Sequence, residues 1–77
     1  MNISMNTIHT IRDDLITIDP GIMGGVPVFR GTRVPIDILF DHFQTGSTID
    51  EFLDDFPGVT RAQAIAVIEY LKSRVLA

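Results

Sequence analysis

The apolar positions of this chain follow two different periods, and the switch between them falls at Gly31-Thr32-Arg33. Before the switch, Leu15-Ile16-Thr17-Ile18 and Val26-Pro27-Val28-Phe29 are short, partly β-branched runs. They are set apart by Asp19-Pro20-Gly21 and Gly24-Gly25, which are turn-forming sequences. The pair predicts a small hairpin. Pro27 has no N–H to give a ladder, so its strand is expected at an edge, where it would suit a dimer seam. After the switch, Ile36, Leu39, Phe40 and Phe43 recur at helical spacing, with Pro35 fitted to the first turn and Gly46 as terminator. Thr48 and Glu51 have the spacing of a capping box, and Ile49, Phe52, Leu53 and Phe56 repeat the helical pattern until Pro57-Gly58 stops it.

A third helix opens at Thr60, where Gln63 is placed to close another capping box and Val59 to staple against Ala64, and it runs to about Val75. Its inward stripe reads Ala64, Val67, Ile68, Leu71 and Val75, with Ile65 at the margin. The opposite face carries Ala62, Gln63, Ala66, Tyr70, Ser73 and Arg74. Only Pro57, Gly58 and Val59 separate the second and third helices, a length compatible with a helix-turn-helix of the DNA-binding kind. The expected fold is mainly α, a three-helix bundle preceded by a short N-terminal β-hairpin, and topology alone leaves a plain three-helix core and a DNA-binding helix-turn-helix equally open. Residues 1–14 read as a flexible lead-in and residues 15–77 as one domain.

Length supports the single domain, since 77 residues are too few for two hydrophobic cores. A chain of this size buries only about 60% of the surface its unfolded form exposes, so a partner or an oligomer would help to stabilise it. Hydrophobic residues at 45% and charged residues at 21% are those of a folded domain rather than a disordered one. The absence of cysteine removes disulfides and thiolate metal sites, which fits a reducing compartment and makes the cytoplasm the expected location. Met1 to Asp14 lacks the apolar stretch of a secretory signal. The longest apolar run, Ala64 to Ile68, is far short of the roughly 20 residues that cross a bilayer, so no membrane role is expected.

The net charge of −4 is unevenly spread. Residues 37–60 carry Asp37, Asp41, Asp50, Glu51, Asp54 and Asp55 with no Lys or Arg, whereas residues 61–77 set Arg61, Lys72 and Arg74 against Glu69 alone. No catalytic or metal-binding set emerges from this pattern. His9 and His42 lie in different segments, and His42 reads as a boundary residue beside an apolar stripe. Ser4, Ser47 and Ser73 lie outside any nucleophile-elbow sequence, and the glycines at 21, 24, 25 and 31 lack the Gly-Lys-Ser/Thr of a phosphate loop. Asp37 with Asp41, or Glu51 with Asp55, share a helix face and have the spacing of magnesium carboxylates, but they alternate with the inward stripes and read as a solvated face. The expectation is a partner-binding domain, not an enzyme, with no cofactor and no metal.

The stretch Ile18-Asp19-Pro20, then Gly25-Val26-Pro27-Val28-Phe29-Arg30-Gly31-Thr32-Arg33-Val34-Pro35, resembles the signature of the bacterial domain-of-unknown-function family numbered 433, and Arg30-Gly31-Thr32-Arg33 is its most specific part. Gly46, the acids of the second helix, Phe56-Pro57, Thr60 and Tyr70 extend the likeness over residues 15–72. The chain departs from the pattern at Val26, where a basic residue is usual, and at Phe56, where tyrosine is common. The resemblance implies an antitoxin of the VapB type, built as a homeodomain-like three-helix helix-turn-helix bundle behind the short hairpin. Such a protein would neutralise a PIN-like ribonuclease toxin and bind the promoter of its own operon, as a homodimer or as a hetero-oligomer with the toxin.

A physical reading accompanies each implied role. A PIN-like active site gathers carboxylates around magnesium, so a guanidinium held on a stiff loop would replace the metal's charge. That makes Arg30 and Arg33, with Gly31 and Thr32 between them, the expected toxin-binding group. A structural role, tying the hairpin to the acidic helices, is weighed more for Arg33, which abuts the first helix, than for Arg30. For DNA, the third helix would present Thr60, Arg61, Gln63, Ala66, Tyr70 and Arg74 to the major groove. A Gln63 that closes the capping box is lost to base reading. The rival readings are a stand-alone helix-turn-helix DNA-binding dimer without a toxin, and a magnesium-dependent enzyme using the acids of the first two helices.

Overall fold

A computed structural model describes residues 12–76, and side chains through Arg74. Two antiparallel strands, β1 (Ile16–Thr17) and β2 (Val28–Phe29), are followed by three helices, α1 (Ile36–Gln44), α2 (Ile49–Asp55) and α3 (Arg61–Leu76). The register pairs Ile16 with Phe29 and Thr17 with Val28. The hairpin and the three helices fall where the two periodicities predict them, with strands shorter than the apolar runs.

The lead-in is shorter than expected at its inner end. The carbonyl of Arg12 accepts from the amides of Leu15 and Ile16, at 3.0 and 2.9 Å, so Arg12–Asp14 already belong to the folded body. The rest of the lead-in, residues 1–11, and the side chain of Val75 lie outside the described residues.

β2 is not the edge that Pro27 suggested. On one side it pairs with β1, and on the other Val28 bridges Pro35 while the Phe29 amide donates to the Val34 carbonyl at 3.0 Å and the Ile36 amide to the Pro27 carbonyl at 3.0 Å. Pro27 is compatible with this position because it is used as an acceptor, which proline retains. With both sides of β2 occupied, the strand is unavailable as a seam between copies.

Each helix end has a local cause. α1 ends in a Schellman turn: Gly46, at φ 86°, donates to the Phe43 carbonyl at 3.0 Å and Ser47 to the His42 carbonyl at 2.9 Å. α2 opens with the full capping box, the Glu51 amide donating to Thr48 Oγ1 at 3.2 Å and the Thr48 amide to Glu51 Oε1 at 2.7 Å. At α3 only half of the box forms. The Gln63 amide donates to Thr60 Oγ1 at 3.1 Å, while the Gln63 side chain goes elsewhere.

The core joins all the elements. Phe29, Val28, Leu39, Phe52 and Val67 are fully buried, with Leu15, Ile16, Ile36, Val59 and Ala64 beside them. The rings of Phe29 and Phe52 meet at 5.8 Å, clamping the hairpin to α2. Phe43, expected on the inward stripe of α1, is 37% exposed. It lies on the last turn, where it meets Phe40 edge-on at 6.2 Å, and Ile38 takes a place against the core instead. We expect Phe52→Ala to cost about 3–5 kcal/mol, enough to unfold much of so small a domain. A urea titration followed by circular dichroism checks this, and a midpoint within error of the wild type would contradict the packing described.

Candidate functional site

The peptide leaving β2 turns back at once. Phe29 accepts from the Thr32 amide at 3.0 Å and from Thr32 Oγ1 at 2.7 Å, and Thr32 Oγ1 in turn accepts from the Val34 amide at 3.0 Å. Gly31 takes the third position of this β-turn with φ 79°, where positive φ is the type II signature and L side chains are strained. Thr32 thus locks the turn from inside, and the two flanking arginines face outward.

The two arginines differ in a way opposite to expectation. Arg30 is the one that is tied. Its amide donates to the Leu15 carbonyl at 2.9 Å and its guanidinium to the Asp13 carbonyl at 2.7 Å, fastening the turn to the start of the domain rather than to the acidic helices. Arg33 is exposed, and among the described residues its guanidinium meets neither a carboxylate nor a carbonyl. Adjacency to α1 in sequence did not bring an acid within its reach.

The turn is also seated on α3. Gln63 Nε2 donates to the Arg30 carbonyl at 2.8 Å across 33 positions of sequence, and a Cβ added at Gly58 would lie 4.0 Å from the Thr32 methyl. The turn 30–33 and the connection 57–60 into α3 are therefore neighbours. Of the residues read as DNA-contacting, several have intramolecular roles. Thr60 caps α3, Arg61 forms an ion pair with Asp50 of α2, and Gln63 holds Arg30. Ala66 and Tyr70 are half-buried and packed against the core, and Tyr70 is within electrostatic reach of Arg12. Arg74 is exposed. The outer face is thus less open than its helical spacing implied, because Thr60, Arg61 and Gln63 are engaged within the molecule and Ala66 and Tyr70 are half-buried.

The acids are used singly. Glu51 closes the capping box of α2, Asp50 pairs with Arg61, and Asp55 with His42 at 3.0 Å, while Asp37 and Asp41 are exposed on α1. Asp14 is held below the usual carboxylate range by its hydrogen bonds with Arg12. Among the described residues no three histidines or carboxylates gather in a way that could hold a metal ion, and no helix is long and apolar enough to cross a membrane.

His42 is more than a boundary residue. Nδ1 faces the Ile38 carbonyl at 3.0 Å, Nε2 faces Asp55 Oδ2 at 3.0 Å, and the ring packs edge-on against Phe52 and Phe56, 5.4 and 5.8 Å away. Only the imidazolium can donate both bonds at once. The Asp55 carboxylate, followed by the Ile38 carbonyl, raises the histidine above its ordinary value. The bridge spans 13 residues, a separation that no periodicity rule would pick out.

These features define a small, mainly helical domain with an exposed arginine, Arg33, carried on a hydrogen-bonded turn that follows β2 and is seated against the first turn of α3. Residues 16–71 match the family model described as "Protein of unknown function (DUF433)", and the chain belongs to that family. It is similar in fold to the crystal structure of a DUF433 member protein from Anabaena variabilis, with 30% sequence identity and a TM-score of 0.66 over 91% of this chain and 68% of that one. It is also 35% identical over 46 residues to the uncharacterized protein y4eO of Sinorhizobium fredii. That match takes in 60% of this chain and only 21% of the relative, so the chain spans about a fifth of that protein's length.

Because the histidine is raised, its contribution to stability is complete below the unfolded value of about 6.5 and fades as pH rises through the folded value. We expect Asp55→Asn to be less stable than the wild type between about pH 5 and 6.5, with the gap closing at higher pH. Thermal melts of both proteins across that range check this, and a gap constant with pH would contradict the doubly donating imidazolium.

Proposed function

We propose that this protein is an antitoxin-like partner of a PIN-like ribonuclease and that it docks through Arg30-Gly31-Thr32-Arg33. The observation that carries the reading is Arg33: an exposed guanidinium with no internal partner among the described residues, at the end of a turn fixed by its own hydrogen bonds. A turn held this way adds little backbone entropy to the cost of docking, and the guanidinium it carries has chemistry to offer carboxylates that otherwise hold magnesium. Arg30 has a supporting part, since its backbone and side chain fasten the turn in place. The antitoxin role implied by the segment's resemblance to family 433 supplies the partner class.

Promoter binding by α3 is the second role proposed, and the geometry favours it less. Arg61 is neutralised by Asp50, Gln63 is committed to Arg30, and Ala66 and Tyr70 are half-buried, which leaves Arg74 as the exposed cation of that face. So few basic groups fall below the roughly 6 to 10 phosphate contacts of strong binders, so DNA would be held by a dimer or by the complex with the nuclease. A stand-alone DNA-binding dimer is the rival assignment.

Co-expression with the reading frame beside the gene is expected to give a complex that Arg33→Glu weakens at least tenfold in isothermal calorimetry. The variant's melting temperature should stay within error of the wild type, because among the described residues the Arg33 side chain has no hydrogen-bond or ion-pair partner. An unaltered affinity for Arg33→Glu would remove the arginine mechanism. In mobility-shift assays the complex should retain the operon's own promoter better than the free chain does, with steep loss as salt rises. Equal retention by the free chain would favour the rival.

A further inference from the structure

The side chain of Gln63 belongs to neither role as the sequence presents it. It does not complete the capping box at Thr60, and its amide is turned away from the position needed to read a base. Instead, Nε2 reaches 2.8 Å to the Arg30 carbonyl, the first peptide of the turn that bears both arginines. With the Arg30 guanidinium anchored on the Asp13 carbonyl, the turn is tied to two groups far apart in sequence. The Thr32 methyl also lies near the α2–α3 connection, 4.0 Å from where a Cβ would stand at Gly58.

We propose that Gln63 is a positioning residue for partner binding: it welds the Arg30–Arg33 turn to the first turn of α3, so that the two dock as one rigid surface. This rests on the reading of the turn as a nuclease-docking element. The turn's own hydrogen bonds fix its shape, and the bond from Gln63 adds the tie that seats it against α3, a helix of 16 residues, so that the backbone bearing Arg33 and the α2–α3 connection move together. The partner this fits is a protein with an acid-lined depression wide enough to admit the turn and to rest its rim on the α2–α3 connection. The proposed occupant is the carboxylate cluster of the PIN-like nuclease, which the arginine turn would enter.

The consequence for the partner's footprint is specific. Binding should perturb residues 30–33 and residues 58–63 together, although 25 or more positions separate them in the chain. It should leave Asp37 and Asp54, on the acidic helices, unaffected.

Two measurements test this. In the free protein, Gln63→Leu, which is neutral and close in size, is expected to speed amide exchange at Thr32 and Val34 at least tenfold while the melting temperature changes little. Unchanged exchange would overturn the proposal whatever the partner proves to be. In the complex with the product of the adjacent reading frame, the proposed nuclease, the same variant should bind about tenfold more weakly, with the loss in the entropy of binding, and Gln63→Lys, which restores an N–H donor of similar reach, should recover affinity. Adding Ala62→Lys to the Leu variant supplies the charge without the bond and should not. Recovery by Ala62→Lys, or a footprint confined to residues 30–33, would overturn the weld and leave the arginine mechanism standing. A wild-type chain that fails to bind the nuclease at all would sink the docking reading itself.

Discussion

The burial of Phe29 is the constraint on which this structure depends. Its ring is fully covered and meets Phe52 of α2 at 5.8 Å, so the hairpin cannot leave without opening the core. Its backbone is committed as well, since the amide donates to Val34 and the carbonyl accepts twice from Thr32. One residue therefore links the hydrophobic interior to the exposed arginine turn that follows it. Burying an aromatic of this size contributes on the order of 3 kcal/mol, a large share of what a domain of 77 residues can muster.

Much of the fold was legible because its signals are local. Apolar spacing located the three helices, and Thr48 with Glu51, Gly46 and Pro57-Gly58 marked their ends through contacts that span only a few residues. The errors arose where the answer lay at a distance. Pro27 argued for an edge strand, a rule that counts donors, yet the sheet uses its carbonyl, which no single-residue rule weighs. Phe43 continued the helical stripe, but the last turn of α1 projects past the core that its earlier turns cover. At Thr60, the spacing that predicts a capping box was satisfied only in its backbone half, because Gln63 found a better acceptor across the molecule.

The candidate site was legible as a segment and not as a constellation. The composition of Arg30-Gly31-Thr32-Arg33, a glycine and a hydroxyl between two cations, announces a tight exposed turn, and that is what forms. What sequence could not give is the allocation of partners. Which arginine is tied depends on where Asp13 comes to rest, and which positions of α3 stay open depends on where Asp50 and the Arg30 carbonyl come to lie beside it. The link between His42 and Asp55 is of the same kind, a bond between two helices that only their packing creates. Charge counts along the chain also mislead at α3, where Arg61 supplies a positive residue to the tally but meets Asp50 in space.

The double pairing of β2 bears on how molecules of this protein behave when crowded. Cross-β growth begins when one chain templates its backbone on another's free strand, and it favours long, flat borders. Here the inner border is closed by Val34 and Pro35, and the outer strand is two residues long and soon interrupted by Pro20. The ribbon is thus a poor seed for fibrils.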